Sequence, residues 1–576
     1  MKIISLHCDY ITFKPLKKAL KQPEELSEER KKEIKIDECL VILTAVEKSD
    51  SLNLVNDLVK NIEDISKQVK TNNIVLYPYA HLSSNLGNPD LAMQILEKAE
   101  QELKKLKYKV TRAPFGYYKE FELKVKGHPL SELSREIGER EIGKEIKQED
   151  KKISSKEEVY DYKQLLREIS KSKLDTSKLK DNDHRILGQK LDLFSFSEVA
   201  PGMVFWHNNG LIIKNELINY WREEHMKAGY QEISTPQIID SKLWKVSGHW
   251  EKYKENIFLT KYEGREFVVK PMNCPGGMLV YKSSPKSYKD LPLRVGELGI
   301  VHRQELSGVL AGLFRVVQFT QDDAHIFCTE EQLESEIVRI IDLIDLFYKK
   351  FNIKIDRVEL STRPEKRIGS EEIWDKSEET LESVLKKRKA KYKINKGDGA
   401  FYGPKIDFHV KDSLNRAWQL ATIQLDMALP ERFDLSYTDK DNSNKRPVML
   451  HRVIYGAIDR FIGILLEHTN GALPTWLSPI QVRVINFTDR NNKYAEKVIE
   501  KLKESGLRTD SDLSSVPLGG KIRDAEMMKI NYIIVVGDKE EKEKTIAVRK
   551  RGSKDIEQIS IESFSKRIRE EIEKRI

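Results

Sequence analysis

Cysteine is scarce in this 576-residue chain: there are four, and no two of them form a CxxC pair. That scarcity excludes a disulfide framework and the local zinc-finger signatures, and it fits a reducing cytosol. No apolar run approaches a membrane span, and the opening Met-Lys-Ile-Ile-Ser-Leu-His-Cys-Asp reads as a strand instead of a secretory leader. The expectation is a soluble, cytoplasmic protein. Two further motifs are missing: a GxxxxGK[ST] loop, and a GxGxxG following a strand. Without them the usual backbone cradles for phosphates are not available, so any nucleotide chemistry must rest on side chains. Arginine suits that task, because its guanidinium fork can grip an oxyanion at two points. No internal repeat is visible.

The chain is too long for one core and implies three or four domains. Its formal net charge of +8, from 100 basic and 92 acidic residues, suits a polyanion partner only where the charge is clustered. Apolar β-rich runs at residues 2–8, 39–46 and 73–79 flank a helical periodicity of Leu52, Val55, Leu58, Val59, Ile62, Ile65 and Val69, which together predict a compact α/β module. From Arg135 to Tyr160 more than half of the residues are charged, and the stretch reads as a solvated linker that continues as Lys-rich helix to about residue 190. Strand signals follow at 267–270, 401–408 and 417–422. Strand 481–486, helix 494–505, strand 531–536 and helix 562–575 then alternate in βαβ fashion.

Cys274 in Lys-Pro-Met-Asn-Cys-Pro-Gly, His325 in Gln-Asp-Asp-Ala-His and His451 in Met-Leu-His-Arg are separated by 51 and 126 residues. Taken singly, such a Cys is usually a small buried hydrophobe and such a His a satisfied core residue. The surrounding sequence changes that weighting. Gly-Glu-Leu-Gly-Ile-Val-His-Arg-Gln-Glu-Leu-Ser-Gly from Gly296 to Gly308 runs on to Leu-Phe-Arg-Val-Val-Gln-Phe-Thr-Gln-Asp-Asp-Ala-His from Leu313 to His325. This closely resembles motif 2 of class II aminoacyl-tRNA synthetases in its threonyl form. Gly456-Ala457-Ile458-Asp459-Arg460-Phe461-Ile462-Gly463 resembles motif 3, and Tyr-Gln-Glu-Ile-Ser-Thr-Pro from Tyr230 to Pro236 resembles the end of motif 1. The family indicated is the threonyl-tRNA synthetases.

The resemblance implies a multidomain α+β chain. It would have an N-terminal α/β editing domain at 1–145 similar to D-aminoacyl-tRNA deacylases, a charged helical linker at 146–192, a class II antiparallel-sheet catalytic core at 193–476 and an α/β anticodon-binding domain at 477–576. It implies one zinc per subunit on Cys274, His325 and His451, magnesium with ATP, and a homodimer built around motif 1. The partners would be L-threonine, ATP and tRNA(Thr), with no membrane. Arg303 is implied at the α-phosphate and the amino-acid carboxylate, Arg460 at the γ-phosphate and one adenine face, and Phe319 at the other face. Glu305, Arg315, Gln419 and Gln424 would be further ATP contacts. Asp323, Gln321, Tyr402 and Thr422 would hold threonine, and Arg303, Arg460, Lys405 and Gln321 would form the catalytic set. Zinc with an open position would select the threonine hydroxyl against valine.

Serine differs from threonine by one methyl, worth about 10- to 200-fold, so a second sieve is needed. His7-Cys8-Asp9-Tyr10, Tyr79-Ala80-His81-Leu82-Ser83, Ala113 to Lys119 and Lys126 to Glu132 resemble the archaeal editing domain. On that likeness His81, Tyr118, Lys119 and Glu132 would hold a water and the terminal ribose of Ser-tRNA(Thr). Arg523, Glu540 and Arg549 align with anticodon readers, in keeping with splayed RNA bases read at their edges. The chain departs from the family pattern at Cys8, where Ser is frequent, and at Gly277, where His is common. The alternative is a synthetase-like RNA-binding regulator without catalysis, which the presence of Arg303, Arg460 and all three zinc ligands disfavours.

Overall fold

The computed structural model describes every residue except 21–22, 49, 84, 129, 138–160 and 170–178. The sequence-predicted linker falls partly on those segments, and its part at 146–160 and 170–178 lies outside the described residues. The chain forms two compact units, Met1–Glu157 and Glu158–Ile576.

In the first unit β1 (Lys2–Lys18), β2 (Ile34–Ala45), β3 (Asn73–Pro78), β4 (Lys109–Arg112) and β5 (Tyr117–Val125) lie in the order β4-β3-β2-β1-β5, with β6 (Glu132–Glu136) also pairing β1. Strand β1 runs well past the predicted 2–8, because Ile11 and Phe13 are buried beyond a register shift between Cys8 and Tyr10. One sheet face is covered by α1 (Val55–Val69) and α2 (Pro89–Lys105). The predicted periodicity buries Val55, Leu58, Val59, Ile62 and Ile65 of α1, and a left-handed Lys70 ends that helix. Helix α2 begins with Asn88 accepting from the Asp90 N–H and with Pro89 in the first turn, where its missing N–H costs nothing.

The second unit is centred on an eight-stranded sheet. Its members in chain order are β7 (Gln231–Glu232), β8 (Leu293–His302), β9 (Gln318–Cys328), β10 (Ile355–Ser361), β11 (Tyr392–Asn395), β12 (Lys405–Lys411), β13 (Ala417–Asp426) and β14 (Val448–Val453). Their spatial order is β11-β10-β12-β13-β14-β9-β8-β7, antiparallel except at the two outer pairs. Helices α5 (Asn208–Lys227), α7 (Glu330–Lys350), α8 (Glu371–Lys387) and α9 (Ile458–Thr469) contribute to the main core with the sheet, and α6 (Cys274–Lys282) packs into a smaller apolar cluster. The register sets His325 opposite His451, and His451 opposite Gln424. A slip of one residue would send all of them to the opposite face. The predicted strand 401–408 begins only at Lys405. Gly403 sits in a turn where an added Cβ would lie 1.9 Å from the Leu425 carbonyl oxygen, so the chain must bend there on a glycine.

Residues 183–192, read from the sequence as the end of a solvated linker, instead enter the core. Helix α4 (His184–Lys190) follows the described helix α3 (Tyr162–Ile169), and His184, Leu187 and Leu191 are buried. After the central sheet, β15 (Val482–Asn486), β16 (Thr509–Asp512), β17 (Tyr532–Val536), β18 (Ile546–Lys550) and β19 (Ile556–Ile559) form a mixed sheet in the order β16-β15-β17-β18-β19, with helices α10 (Asn492–Glu504), α11 (Leu518–Met527), α12 (Asp538–Glu543) and α13 (Ile561–Glu573). Arg508 donates to the Trp476 and Ser478 carbonyls and to Glu216 of α5, and Arg575 pairs with Glu223 of the same helix.

A buried ion pair ties the end of motif 1 to the first strand of motif 2. Lys270 Nζ donates to Glu297 Oε1 at 2.7 Å and to Thr235 Oγ1 at 3.0 Å, while the Thr235 N–H and hydroxyl donate to the same Glu297 oxygen at 2.8 Å. Lys270→Met would strand that carboxylate, and breaking such a pair costs about 3–5 kcal/mol. The expected result is a lower urea midpoint of the catalytic-core transition followed by tryptophan fluorescence, with Lys270→Arg losing less.

Candidate active site

A cavity of about 770 Å³ opens over the central sheet. Arg303, Glu305, Arg315, Phe319, Gln419 and Arg460 line it, and so do Cys274, Gln321, Asp323, Tyr402, Thr422, Gln424 and His451. Residues spread over about 190 positions of sequence thus meet at one place. Two expected members do not line the cavity. His325, 1 % exposed, lies beneath it, and Lys405 is turned to Asp407 at 2.8 Å and Asp398 at 3.2 Å. Burial pulls the Lys405 ammonium down, but Asp407 and Asp398 outweigh it and raise its pKa, so it stays charged.

Four arginines line the cavity, of which Arg452 is buried against the Tyr230 ring at 4.5 Å. Arg303 lies 5.2 Å from the Phe319 ring centroid and donates from Nε to the Pro271 carbonyl at 3.1 Å. Arg315 is paired with Glu305 at 2.8 Å. Arg460 donates from Nε to the Phe314 carbonyl at 2.8 Å and from Nη1 to the Gln419 carbonyl at 3.1 Å, over the Trp418 ring. Burial first, then Arg315 and Arg303, lower Arg460 to about 10. It remains a cation at neutral pH, and a polyanion in the cavity would relieve the mutual repulsion.

On the neighbouring strands the fully buried Asp407 accepts from Gln419 Nε2 at 2.5 Å, Thr422 Oγ1 at 2.9 Å and Ser361 Oγ at 2.8 Å. Asp322, also fully buried, accepts from the N–H groups of Ile454, Tyr455 and Gly456 at 2.8–3.0 Å and so fixes the start of motif 3. Sequence reading passed over both. Asp322 is bonded by N–H groups more than 130 residues on, and Asp407 by the next strand and by Ser361; the one available signal was a carboxylate at a position that strand alternation would bury.

Cys274, His325 and His451 present ligand atoms within 4.8 Å of one another, near enough to share one ion. His325 Nε2 is buried without a hydrogen-bond partner, and burial lowers that imidazole to about 4, keeping it in the neutral form a metal requires. Burial raises the Cys274 thiol far above its ordinary value, so its proton would leave only in exchange for a cation. His451 Nε2 is held by Asp426 Oδ2 at 2.8 Å, which turns Nδ1 to the trio; this is the carboxylate–histidine arrangement that orients metal ligands. The residues therefore fit a tetrahedral site with one position open. A Cβ at Gly277 would lie 3.4 Å from His325 Nδ1, so a larger residue there would bear on the far side of this imidazole.

In the first unit the Lys119 ammonium lies 5.0 Å from the Tyr77 ring and donates to the Pro114 and Tyr117 carbonyls at 3.0 and 3.1 Å. His81 is linked to the same patch through Tyr79, at 5.5 Å between rings, and Tyr77 and Tyr79 both touch Phe121. Tyr118, 66 % exposed, and Glu132, opposite Leu6, face solvent. Cys8 is fully buried, donates to the Leu6 carbonyl and is raised to about 11 by burial, so its thiol does not replace a solvent-facing hydroxyl. In the C-terminal sheet Arg523 is exposed on α11, and Arg549 pairs with Glu526 at 2.8 Å. Glu540 is engaged at both oxygens: it caps α12 by accepting from the Gly537 N–H at 2.9 Å and accepts from Gln558 at 2.5 Å. To meet a base it would have to release Gln558.

Comparison with known proteins gives the class and then the family. Residues 258–469 match the class II core domain of tRNA synthetases (G, H, P, S and T), and residues 481–571 match an anticodon binding domain. The cavity thus lies in a class II aminoacyl-tRNA synthetase core. Residues 1–137 match the archaea-specific editing domain of threonyl-tRNA synthetase. The crystal structure of the RNA binding domain of threonyl-tRNA synthetase from Cryptosporidium parvum is 40 % identical with a TM-score of 0.66, covering 67 % of this chain and 98 % of that one. The chain belongs to the threonyl-tRNA synthetases. Threonine–tRNA ligases of Caldanaerobacter subterraneus subsp. tengcongensis and Clostridium tetani are each 54 % identical, over 68 % and 69 % of this chain. The matched part spans 61 % and 62 % of the length of those relatives.

With a metal on the trio, Asp426→Asn keeps the Oδ1 bonds to the Ala428 and Leu429 N–H groups but replaces the carboxylate oxygen at His451. Loss of such a partner typically weakens metal affinity by 10- to 100-fold. Chelator competition monitored by zinc content should show that drop with an unchanged circular dichroism spectrum.

Proposed function

We propose that the chain ligates L-threonine to tRNA(Thr) through a threonyl-adenylate made from ATP, and that its first unit hydrolyses mischarged Ser-tRNA(Thr). The observation that carries this reading is one cavity lined by Arg303, Arg315 and Arg460 together with Cys274 and His451, with His325 close enough to both to share an ion with them. Arg303 would bind the α-phosphate and the threonine carboxylate, bringing nucleophile and electrophile together, while Arg460 and Phe319 enclose adenine and Arg315 and Glu305 add nucleotide contacts. Positioning and charge stabilisation supply most of the acceleration in such phosphoryl chemistry. Magnesium would accompany ATP. Zinc, when bound, would offer Lewis-acid positions to the amino and hydroxyl groups of threonine.

Asp323 stands at the wall of the cavity with its carboxylate held by Asn273 Nδ2 at 3.2 Å, placed to accept the proton of a side-chain hydroxyl. Gln321, Tyr402 and Thr422 would close the pocket around the substrate, Gln419 and Gln424 would reach the nucleotide, and Lys405 would act through Asp407. Valine lacks the hydroxyl and would leave Asp323 unpaired, a strong ground for rejection. Serine keeps the hydroxyl, and Lys119 and His81 with Tyr118 and Glu132 would answer that by hydrolysis. Arg523 and Arg549 would contact the anticodon loop, with Glu540 joining on release from Gln558. A cytoplasmic homodimer fits this reading, and among the described residues no helix is long and apolar enough to cross a membrane.

ATP–pyrophosphate exchange tests the activation step. Strong exchange with threonine, weaker exchange with serine, none with valine and loss of exchange on chelation are expected; no exchange with any amino acid would leave the RNA-binding regulator.

Editing has its own pH signature. Burial lowers the Lys119 ammonium to about 8, so it is charged below that pH and mostly neutral above it, where an ordinary lysine would still be charged. If the charge holds the substrate, Ser-tRNA(Thr) hydrolysis should decline above pH 8. Lys119→Arg should remove the decline, as read from deacylation rates between pH 6.5 and 9.5.

A further inference from the structure

His184 lines no part of the cavity, yet its ring is fully engaged behind it. Nδ1 lies 2.8 Å from Glu467 Oε1, and Nε2 lies 3.0 Å from the Leu313 nitrogen. A carboxylate accepts only, so the ring proton sits on Nδ1 and Nε2 accepts the Leu313 N–H. Glu467 Oε1 also receives the His184 backbone N–H at 3.2 Å, and Oε2 accepts from Ser413 at 3.1 Å. The His184, Asp183 and Glu467 ligand atoms are also within 4.8 Å of one another, but both imidazole nitrogens are spent on hydrogen bonds, so this is a clamp and no metal site.

The clamp closes on the short turn Gly312–Phe314. Gly312 has φ +55°, and a Cβ there would lie 2.3 Å from His184 Nε2, so the close approach requires glycine. Two groups of Phe314, its ring and its carbonyl, carry the contact onward. The Phe314 ring packs against the His184 ring with centroids 4.2 Å apart, and the Phe314 carbonyl is the acceptor for Arg460 Nε. The route from α4 to the Arg460 guanidinium therefore consists of one imidazole, one turn and one carbonyl.

We propose that His184, held by Glu467, is a positioning residue for the nucleotide-binding Arg460, acting through the turn Gly312–Phe314. This rests on the ATP role given to Arg460 above. It assigns the segment entering the core a part in ATP binding that packing alone would not require.

The test uses the full chain, with His184→Gln, His184→Asn and Glu467→Gln. Gln can extend an oxygen to the place of Nε2 and keep the Leu313 bond, whereas Asn can keep only the bond to Glu467. ATP affinity by calorimetry, which needs no turnover, and KM for ATP and for threonine by pyrophosphate exchange are measured on the folded fraction. His184→Asn should weaken ATP about 10- to 100-fold, the range for a buried hydrogen-bond network that has lost a partner, with KM for threonine changed far less. His184→Gln should recover most of the loss. Should His184→Asn not fold, Glu467→Gln keeps the side chain's shape and an acceptor oxygen for His184 while its amide nitrogen takes the place facing Ser413, and should show a smaller shift of the same selectivity. Equal losses for ATP and threonine, or unchanged ATP affinity in folded variants, would overturn the proposal. Absence of exchange in the unaltered chain would instead overturn the activity, leaving the calorimetric comparison to decide on His184.

Discussion

Holding several cations around one cleft with little opposing charge is the constraint from which most of this core follows. Arg303, Arg315 and Arg460 converge on the cavity, and Glu305 is the carboxylate bonded to one of them. Their positions are maintained largely by backbone carbonyls, of Pro271, Phe314 and Gln419, which orient a guanidinium without neutralising it. A neutral acceptor keeps the field available for a ligand, whereas a carboxylate would spend it. The burden then passes to whatever fixes those carbonyls. Pro271 follows Lys270, anchored in its buried pair with Glu297, and Phe314 ends a turn that touches His184.

The opposite wall is organised by carboxylates that never reach the cavity. Asp407 gathers Gln419, Thr422, Ser361 and Lys405, and Asp322 gathers three N–H groups at the entry to motif 3. Desolvation raises Asp322 to about 7 against the opposing pull of Arg452 and those N–H groups. Buried acceptors with this many donors are costly to lose, because each donor left behind is desolvated without a partner. They explain why polar residues scattered over several strands can present a single geometry.

Residues whose chemistry is announced by their immediate neighbours were legible in the sequence. Arg303, Arg460 and the Cys274, His325 and His451 trio stand in runs that pack locally into a strand, a loop or a helix start, and the cavity brings nearly all of them together. The periodicity of α1 and the alternating C-terminal elements were legible for the same local reason. What failed to show was anything set by long-range pairing. Asp407 and Asp426 have their roles only because β12, β13 and β14 are neighbours in this register. His184 stands in a charged stretch whose composition resembles a linker, and only its contact with Glu467, far along the chain, reveals a buried residue. Glu540 illustrates the converse: a capping residue three positions after Gly537 reads as a free carboxylate until the helix is seen to begin there.

The choice between lysine and arginine at the two candidate sites follows from how far burial can move each. Desolvation lowers Lys119 to about 8 and Arg460 to about 10. The arginine therefore remains charged throughout the physiological range even when enclosed and flanked by other cations. A lysine in the same enclosure would stand close to its midpoint and would hold triphosphate only part of the time. Permanent charge suits a cavity proposed to bind a polyanion, whereas the aromatic patch around Lys119 holds its cation only below about pH 8, which ties any binding there to pH.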